Sequence, residues 1–406
     1  MRRCYGQLVR TRCLLGSLAG IGVVLLAACS SAGIAASAGG IPEAAVAQVH
    51  RGASWRIVQV VRHCGDDGLL SVAASGRRDA WAAGVPPGCG ADVEHWNGTR
   101  WQQVVVPRGV RLAGSLTAPF APVAARSGGD AWVFPVKGGL FVPYDYALHW
   151  DGTRWRRSDF AGKLIVGSAE AFGPRYVWAF GWIEHSQSDL TPTAARYDGH
   201  SWRQVKVPVE ALAVTATSRH NLWVFGPSLK TAGRPPARQT LLAARWNGRS
   251  WQVIPVPRTP GLTIVEEGPV APSAAATTGP GNLWLAYPVT DRRGNMNFVV
   301  VLHRDRSRWH RITVPAHVSG MDGMTSDGHG GIWLLAVVSI SLNQPQYWYH
   351  YSAGHWTRQQ VLSPKGYNST MFGMAWVPGT TSVWAVGEAD PNNRGHTIGV
   401  IARHSP

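Results

Sequence analysis

His95-Trp96-Asn97-Gly98-Thr99-Arg100-Trp101, preceded by Asp79-Ala80-Trp81, is the stretch whose reading decides the fold. Both halves recur. The heptad is echoed at His149 to Trp155, Arg196 to Trp202, Arg245 to Trp251, His303 to Trp309, His350 to Trp356 and, degenerately, at His50 to Trp55. The shorter motif returns at Asp130-Ala131-Trp132, Tyr176-Val177-Trp178, Asn221-Leu222-Trp223, Asn282-Leu283-Trp284, Gly331-Ile332-Trp333 and Ser382-Val383-Trp384, on average about 50 residues apart. Asn97-Gly98, Asp151-Gly152, Asp198-Gly199 and Asn247-Gly248 supply the positive φ angles of a two-residue hairpin turn. Each heptad therefore joins two antiparallel strands.

The strand after the turn commonly runs into proline, at Pro107, Pro208, Pro257 and Pro315, as an edge strand tolerates. Leu70 to Ala74, Val123 to Arg126, Leu212 to Thr217 and Ala274 to Thr277 read as a further strand ahead of each short motif. Each unit is then four strands, a to d, with the short motif on b and the heptad joining c to d. Seven such units repeated radially make an all-β, seven-bladed β-propeller. The ends complement each other: the chain opens with a lone d strand, Trp55 to Val60, and closes with a, b and c at Met371 to Val377, Val383 to Val386 and Thr397 to Arg403. Three strands from one end and one from the other complete the last blade without an open edge.

Before the repeats, Arg2, Arg3, Arg10 and Arg12 precede an apolar run from Leu14 to Ala28, too short for a transmembrane helix and consistent with a signal peptide over residues 1–28. The run ends Leu26-Ala27-Ala28-Cys29, which resembles the lipobox of bacterial lipoproteins and implies lipidation of Cys29; Ala36-Ser37-Ala38 is a rival cleavage site that would release a secreted protein. Residues 29–48, rich in Ser, Ala and Gly, read as a flexible tether, and the propeller as 49–406. The expected location is the outer face of the cytoplasmic membrane.

The net charge of +16 includes those four arginines, and only five of the 39 basic residues are lysine, as in an arginine-biased composition. Neither a basic stripe nor a nucleic-acid module is present, so no nucleic-acid partner is expected. Cys64 and Cys89 are the cysteines beyond the tether, and in an oxidising compartment they are expected to pair. The recurrent His95, His149, His303 and His350 occupy equivalent places in different blades and cannot converge on one ion, so no metal and no cofactor are expected. The recurrent tryptophans are packing residues wedged between sheets.

The repeat pattern resembles bacterial secreted kelch-like and Asp-box propellers over residues 50 to 404. It lacks the Gly-Gly doublet of kelch strand b and has one residue fewer than the Asp box between its Asp and Gly. The resemblance implies the fold and carries no activity with it.

In a propeller the b-to-c and d-to-a connections emerge on one face, and here they are the long ones: Lys137 to Tyr146, Trp182 to Asp189, Ser228 to Arg238, Tyr287 to Asn295 and Glu388 to Arg394. Tyr144, Tyr146, Trp182, His185, Tyr287, Arg292 and Glu388 are the candidate ligand-binding residues, since Tyr and Trp beside charged groups suit sugar rings, which stack on aromatic faces and hydrogen-bond along their edges. No nucleophile elbow, zinc-protease helix or phosphate loop occurs. The expected function is a monomeric, surface-anchored module that binds a glycan or a protein; the alternative is a glycan-active enzyme built on scattered carboxylates such as Glu184, Asp291 and Glu388.

Overall fold

The computed structural model describes residues 54–405 except 64–66, 85–91, 111–122, 138–141, 144, 161, 163, 187–188, 232–238, 261, 265–272, 280, 292–297, 316–317, 319, 338–344 and 392–394. Its named elements are all β-strands. The first blade is Leu69–Gly76, Asp79–Gly84, Asp92–Trp96 and Trp101–Gln103; the second is Val123–Ser127, Asp130–Val133, Tyr146–Trp150 and Trp155–Asp159. The third comprises Ile165–Ala171, Val177–Ser186, Asp189–Tyr197 and Trp202–Val205, and the fourth Ala213–Ser218, Asn221–Pro227, Leu241–Trp246 and Trp251–Pro255. The fifth, Ala274–Gly279, Asn282–Asp291, Phe298–Asp305 and Arg308–Ile312, gains a short strand, Leu262–Ile264, beside the far end of Asn282–Asp291. The sixth is Gly320–Ser326, Ile332–Val337, Gln346–Ser352 and His355–Gln360. The seventh joins Tyr367–Trp376, Val383–Pro391 and Ile398–Ser405 to the N-terminal Ser54–Val61, in the register Trp55 to His404 and Arg56 to Arg403. Strands a touch one another in sequence round the ring, and that of the seventh blade returns to that of the first.

Strand b is buried on both faces, as in Asp79–Gly84 and Asn221–Pro227, so it reads as an apolar run. Its alternation sends the large residue to one neighbour and the small ones to the other. Trp384 of the seventh blade packs on Ala80 and Ala82 of the first, while Trp81 faces Ala131 and Val133 of the second. The same relation places Trp132 on Val177 and Ala179, Trp178 on Leu222 and Val224, Trp223 on Leu283 and Leu285, Trp284 on Ile332 and Leu334, and Trp333 on Val383 and Ala385. The seven apolar clusters are thus the seven spaces between blades. Each buried indole contributes roughly 4–6 kcal/mol of apolar burial, an upper bound set by the extended-chain reference.

The strand-d tryptophan meets the preceding blade from the outside. Trp55, Trp101 and Trp202 lie edge-on to Trp333, Trp384 and Trp132 at 5.4, 5.0 and 5.6 Å. Their counterparts donate indole N–H bonds back to that blade: Trp155 to the Val105 carbonyl at 3.1 Å, Trp309 to Pro255 at 3.1 Å and Trp356 to Thr313 at 2.8 Å.

In the Asn-Gly and Asp-Gly heptad turns only the glycine is left-handed, Gly98 at φ 97° and Gly152 at φ 93°, which corrects the expectation that both residues would be; in the fifth and sixth blades Arg306 at φ 52° and Ala353 at φ 50° are left-handed as well. The preceding Asn or Asp acts through its side chain: Asn97 Oδ1 accepts the amides of Thr99 and Arg100 at 3.0 and 3.1 Å, and Asp151, Asp198 and Asn247 repeat the arrangement.

Candidate functional site

Antiparallel order puts the a–b and c–d turns at one end of each blade and the b–c and d–a connections at the other. Contacts agree: Gly98 lies against Arg78, Gly152 against Gly129 and Gly199 against Arg175, pairing the two tight turns of a blade. The c–d turns at that end are short, four residues in the first four blades and two in the fifth and sixth. At the other end the b–c hairpins differ in reach, from Asp79–Gly84 with Asp92–Trp96 to Val177–Ser186 with Asp189–Tyr197.

Several stretches expected as loops on this face are strand. Trp182 to Ser186 pairs with Asp189 to Pro192, Tyr287 to Val289 pairs with Phe298 to Val300, and Glu388 pairs with Gly399. Continued ladder pairing satisfies their backbone groups where loops would need solvent.

Trp182 is 4% exposed and donates its indole N–H to Glu210 Oε1 at 2.9 Å, tying the third blade to the connection entering the fourth. Burial pushes the Glu210 carboxyl up despite that bond. Tyr287 is buried between the fourth and fifth blades against Phe225, with ring centroids 5.3 Å apart. Tyr146 is buried between the first and second blades, under the Arg157 guanidinium at 4.3 Å. These three aromatics are in inter-blade packing rather than on an open surface. His185 is exposed near the tip of the third hairpin. Glu388 sits beside Gly68, at the connection from the last blade to the first. Tyr144 and Arg292 lie outside the described residues, as do Cys29, Cys64 and Cys89. The described candidates are dispersed over the second, third, fifth and seventh blades.

The recurrent histidines bind within their own blades. His95 Nε2 meets Asp79 Oδ1 at 2.8 Å, His149 meets Asp130 at 2.8 Å, His303 meets Asn282 at 2.7 Å and His350 meets Asp327 at 3.0 Å. Each imidazole stacks on the strand-b tryptophan of its blade, with centroids 3.9–4.3 Å apart. Of the three arginines at this place, Arg245 keeps the pattern, its Nε donating to Asn221 Oδ1 at 2.8 Å, while Arg196 and Arg403 lie over the strand-b Trp178 and Trp384. This Asp/Asn–His/Arg–Trp unit is a staple between strands b and c.

A different cluster stands at the ring closure, where the chain leaves its N-terminal strand. His63 Nε2 lies 2.7 Å from Glu94 Oε1 and 3.9 Å from Asp92 Oδ1. The His63 amide donates to Asp67 Oδ2 at 2.8 Å, and the Asp67 amide to the Thr397 carbonyl at 3.1 Å. Asp92 and Glu94 are 0% and 1% exposed, whereas the His63 side chain is one-third open to solvent. Burial, then the negative charge of Glu94, pushes the Asp92 carboxyl up to about 7. Burial likewise raises Glu94 against the pull of His63. Sequence reasoning passed over these residues.

Fold and closure define the class: a seven-bladed β-propeller whose last blade is completed by the first strand. The sequence matches no family model and no curated protein. Among solved structures it is similar to YCF48 bound to D1 peptide, at 12% identity and a TM-score of 0.54 over 89% of this chain and 100% of that one. It is also similar to YCF48 from Cyanidioschyzon merolae, at 13% and 0.53 over 87% and 98%. The β-propeller domain of the Trilobed protease from Pyrococcus furiosus, described as having an open velcro topology, matches at 8% and 0.50 over 82% and 95%. At these identities the likeness is one of fold.

Proposed function

We propose that this chain is a binding or scaffolding module whose partner docks on the face formed by the b–c and d–a connections. The observation that carries the reading is the asymmetry of the two ends: one has short c–d turns, side-chain-capped in the first four blades and only two residues long in the fifth and sixth, while the other varies in reach and sequence on a rigid ring. A polypeptide segment is the favoured partner. It fits uneven hairpins around a basic scaffold, and a fold neighbour, YCF48, is described bound to a peptide. A glycan is the other partner to test. The enzyme alternative gains no support from Asp92 and Glu94, since both side chains are buried.

The N-terminal segment would hold the module at the outer face of the cytoplasmic membrane through a lipidated Cys29. A Cys29→Ser form should leave the membrane fraction; its persistence there as a processed protein would contradict the anchor.

The functional test is crosslinking of the anchored protein in its native envelope, followed by binding of the purified protein to the captured species and to a glycan panel. Saturable binding weakened by His185→Ala or Arg292→Ala, but not by changes at the opposite turns such as Thr99→Ala, supports the reading. Binding that responds only to the turn variants would contradict it.

A further inference from the structure

Strand c occupies the same register in every blade, so the positions of Asp92 and Glu94 can be compared round the ring. The counterparts of Glu94, opposite the residue after the strand-b tryptophan, are Leu148, Ala195, Ala244, Leu302, Tyr349 and Ala402. Those of Asp92, three residues before the staple His or Arg, are Tyr146, Thr193, Leu242, Val300, Tyr347 and Val400. None is charged. The first blade alone carries two acids here, and both point at the seventh blade: Glu94 shares its face with Ala82, which packs against Val61 and Trp384.

Two buried carboxylates in an apolar interface are costly unless a counter-charge holds them. His63 supplies at most one positive charge, against Asp67, Asp92 and Glu94. Its ring nitrogen reaches Glu94, whereas the wholly buried Asp92 carboxylate, with Oδ1 3.9 Å across from the imidazole, makes no hydrogen bond to it and has at most the weak pull of the Gln103 amide. His63 Nε2 and one oxygen from each of Asp92 and Glu94 all lie within 4.8 Å of one another.

We propose that His63, Asp92 and Glu94 bind one divalent transition-metal cation that ties the N-terminal strand of the closing blade to strand c of the first. One imidazole and two carboxylates form a mixed nitrogen and oxygen donor set that suits Zn²⁺ best, with Mn²⁺ next; all-oxygen sites suit Ca²⁺. The ion would take the place of the proton between His63 and Glu94 and give the Asp92 carboxylate a counter-charge. The partly open His63 is the entry side. The site differs from the metal-free expectation drawn from the recurrent histidines, because its ligands fall where the repeat is broken. Bound only in the folded ring, the ion stabilises closure by mass action.

Purified protein stripped with a chelator and titrated with Zn²⁺ alone, then Mn²⁺ and Ca²⁺ separately, decides the matter by calorimetry and thermal unfolding. One Zn²⁺ per chain is expected, with micromolar or tighter affinity and a raised melting temperature. Asp92→Asn and His63→Gln should each weaken Zn²⁺ at least about tenfold. Metal-free Asp92→Asn should melt at or above the metal-free parent, which shows that it folds and that only the ion is lost. Absence of saturable binding by any of the three ions, or equal Zn²⁺ affinity in parent and Asp92→Asn, overturns the proposal and leaves the acids held by protons.

Discussion

His404, on the strand that receives the N-terminus, shows how one side chain reports the seam. It is 8% exposed and packs against Trp333 and Trp55, with centroids 4.5 and 5.6 Å away. Burial, reinforced by His350 nearby, pulls its imidazole down to about 4 from an ordinary 6.5. The unfolded chain takes this proton near pH 6.5 while the folded ring refuses it until about pH 4, so falling pH favours unfolding across that window and has no further effect below it. His404 should therefore cost the protein about 3 kcal/mol of stability between pH 7 and pH 4. His404→Phe keeps the ring packing and removes the titration. Denaturant unfolding should show the variant-minus-parent stability difference rising by about that amount on acidification; a pH-independent difference would contradict it. Gly84 makes a second point at this scale. A Cβ there would overlap the Gly68 carbonyl where strand a enters, and Gly181, Gly226 and Gly387, each three residues past a strand-b tryptophan, meet the same constraint. A Trp-x-x-Gly signal for this close approach stands in the sequence beside the tryptophans that were read.

At the scale of the strand and hairpin, the tryptophan period and the Asn-Gly or Asp-Gly turns sufficed to place the four-strand unit, because core packing and turn stereochemistry leave a direct mark on residue type. The length of strands b and c did not show. Trp182 to Ser186 and Tyr287 to Asp291 continue past the tryptophan core as a ladder held by backbone pairing, which constrains residue type weakly. Candidate binding residues chosen for aromatic and charged character therefore fell on packing positions in three cases, Tyr146, Trp182 and Tyr287. The acids at the seam were missed for a different reason: Asp92 and Glu94 are unremarkable until strand c is aligned across all seven blades. Their position bears on the two cysteines. Cys64 follows His63 directly and Cys89 precedes Asp92 by three residues, and His63 lies within hydrogen-bond distance of Glu94. A Cys64–Cys89 disulfide is therefore proposed, contributing about 3 kcal/mol by closing a loop of about 25 residues in the unfolded chain. Peptide mapping of unreduced protein should recover the two cysteines joined; two alkylatable thiols would contradict the bond.

At the scale of the whole molecule, each of the seven inter-blade spaces takes one strand-b tryptophan, and the ring depends on the strand that comes first in sequence. Ser54–Val61 brings Trp55 into the space between the sixth and seventh blades, stacked on Trp348 at 4.0 Å and edge-on to Trp333. It also brings Val61 into the space between the seventh blade and the first. The proposed cation and disulfide would act at this joint, at the end of the ring proposed for binding. Closure by the N-terminal strand is the central claim, and comparing the thermal unfolding of residues 49–406 with that of residues 62–406 tests it most directly. The shorter chain should melt at least about 10 °C lower, or without a cooperative transition, having lost the burial of Trp55 and an entire edge of the last blade. Equal melting temperatures, within about 2 °C, would mean that the ring closes without this strand.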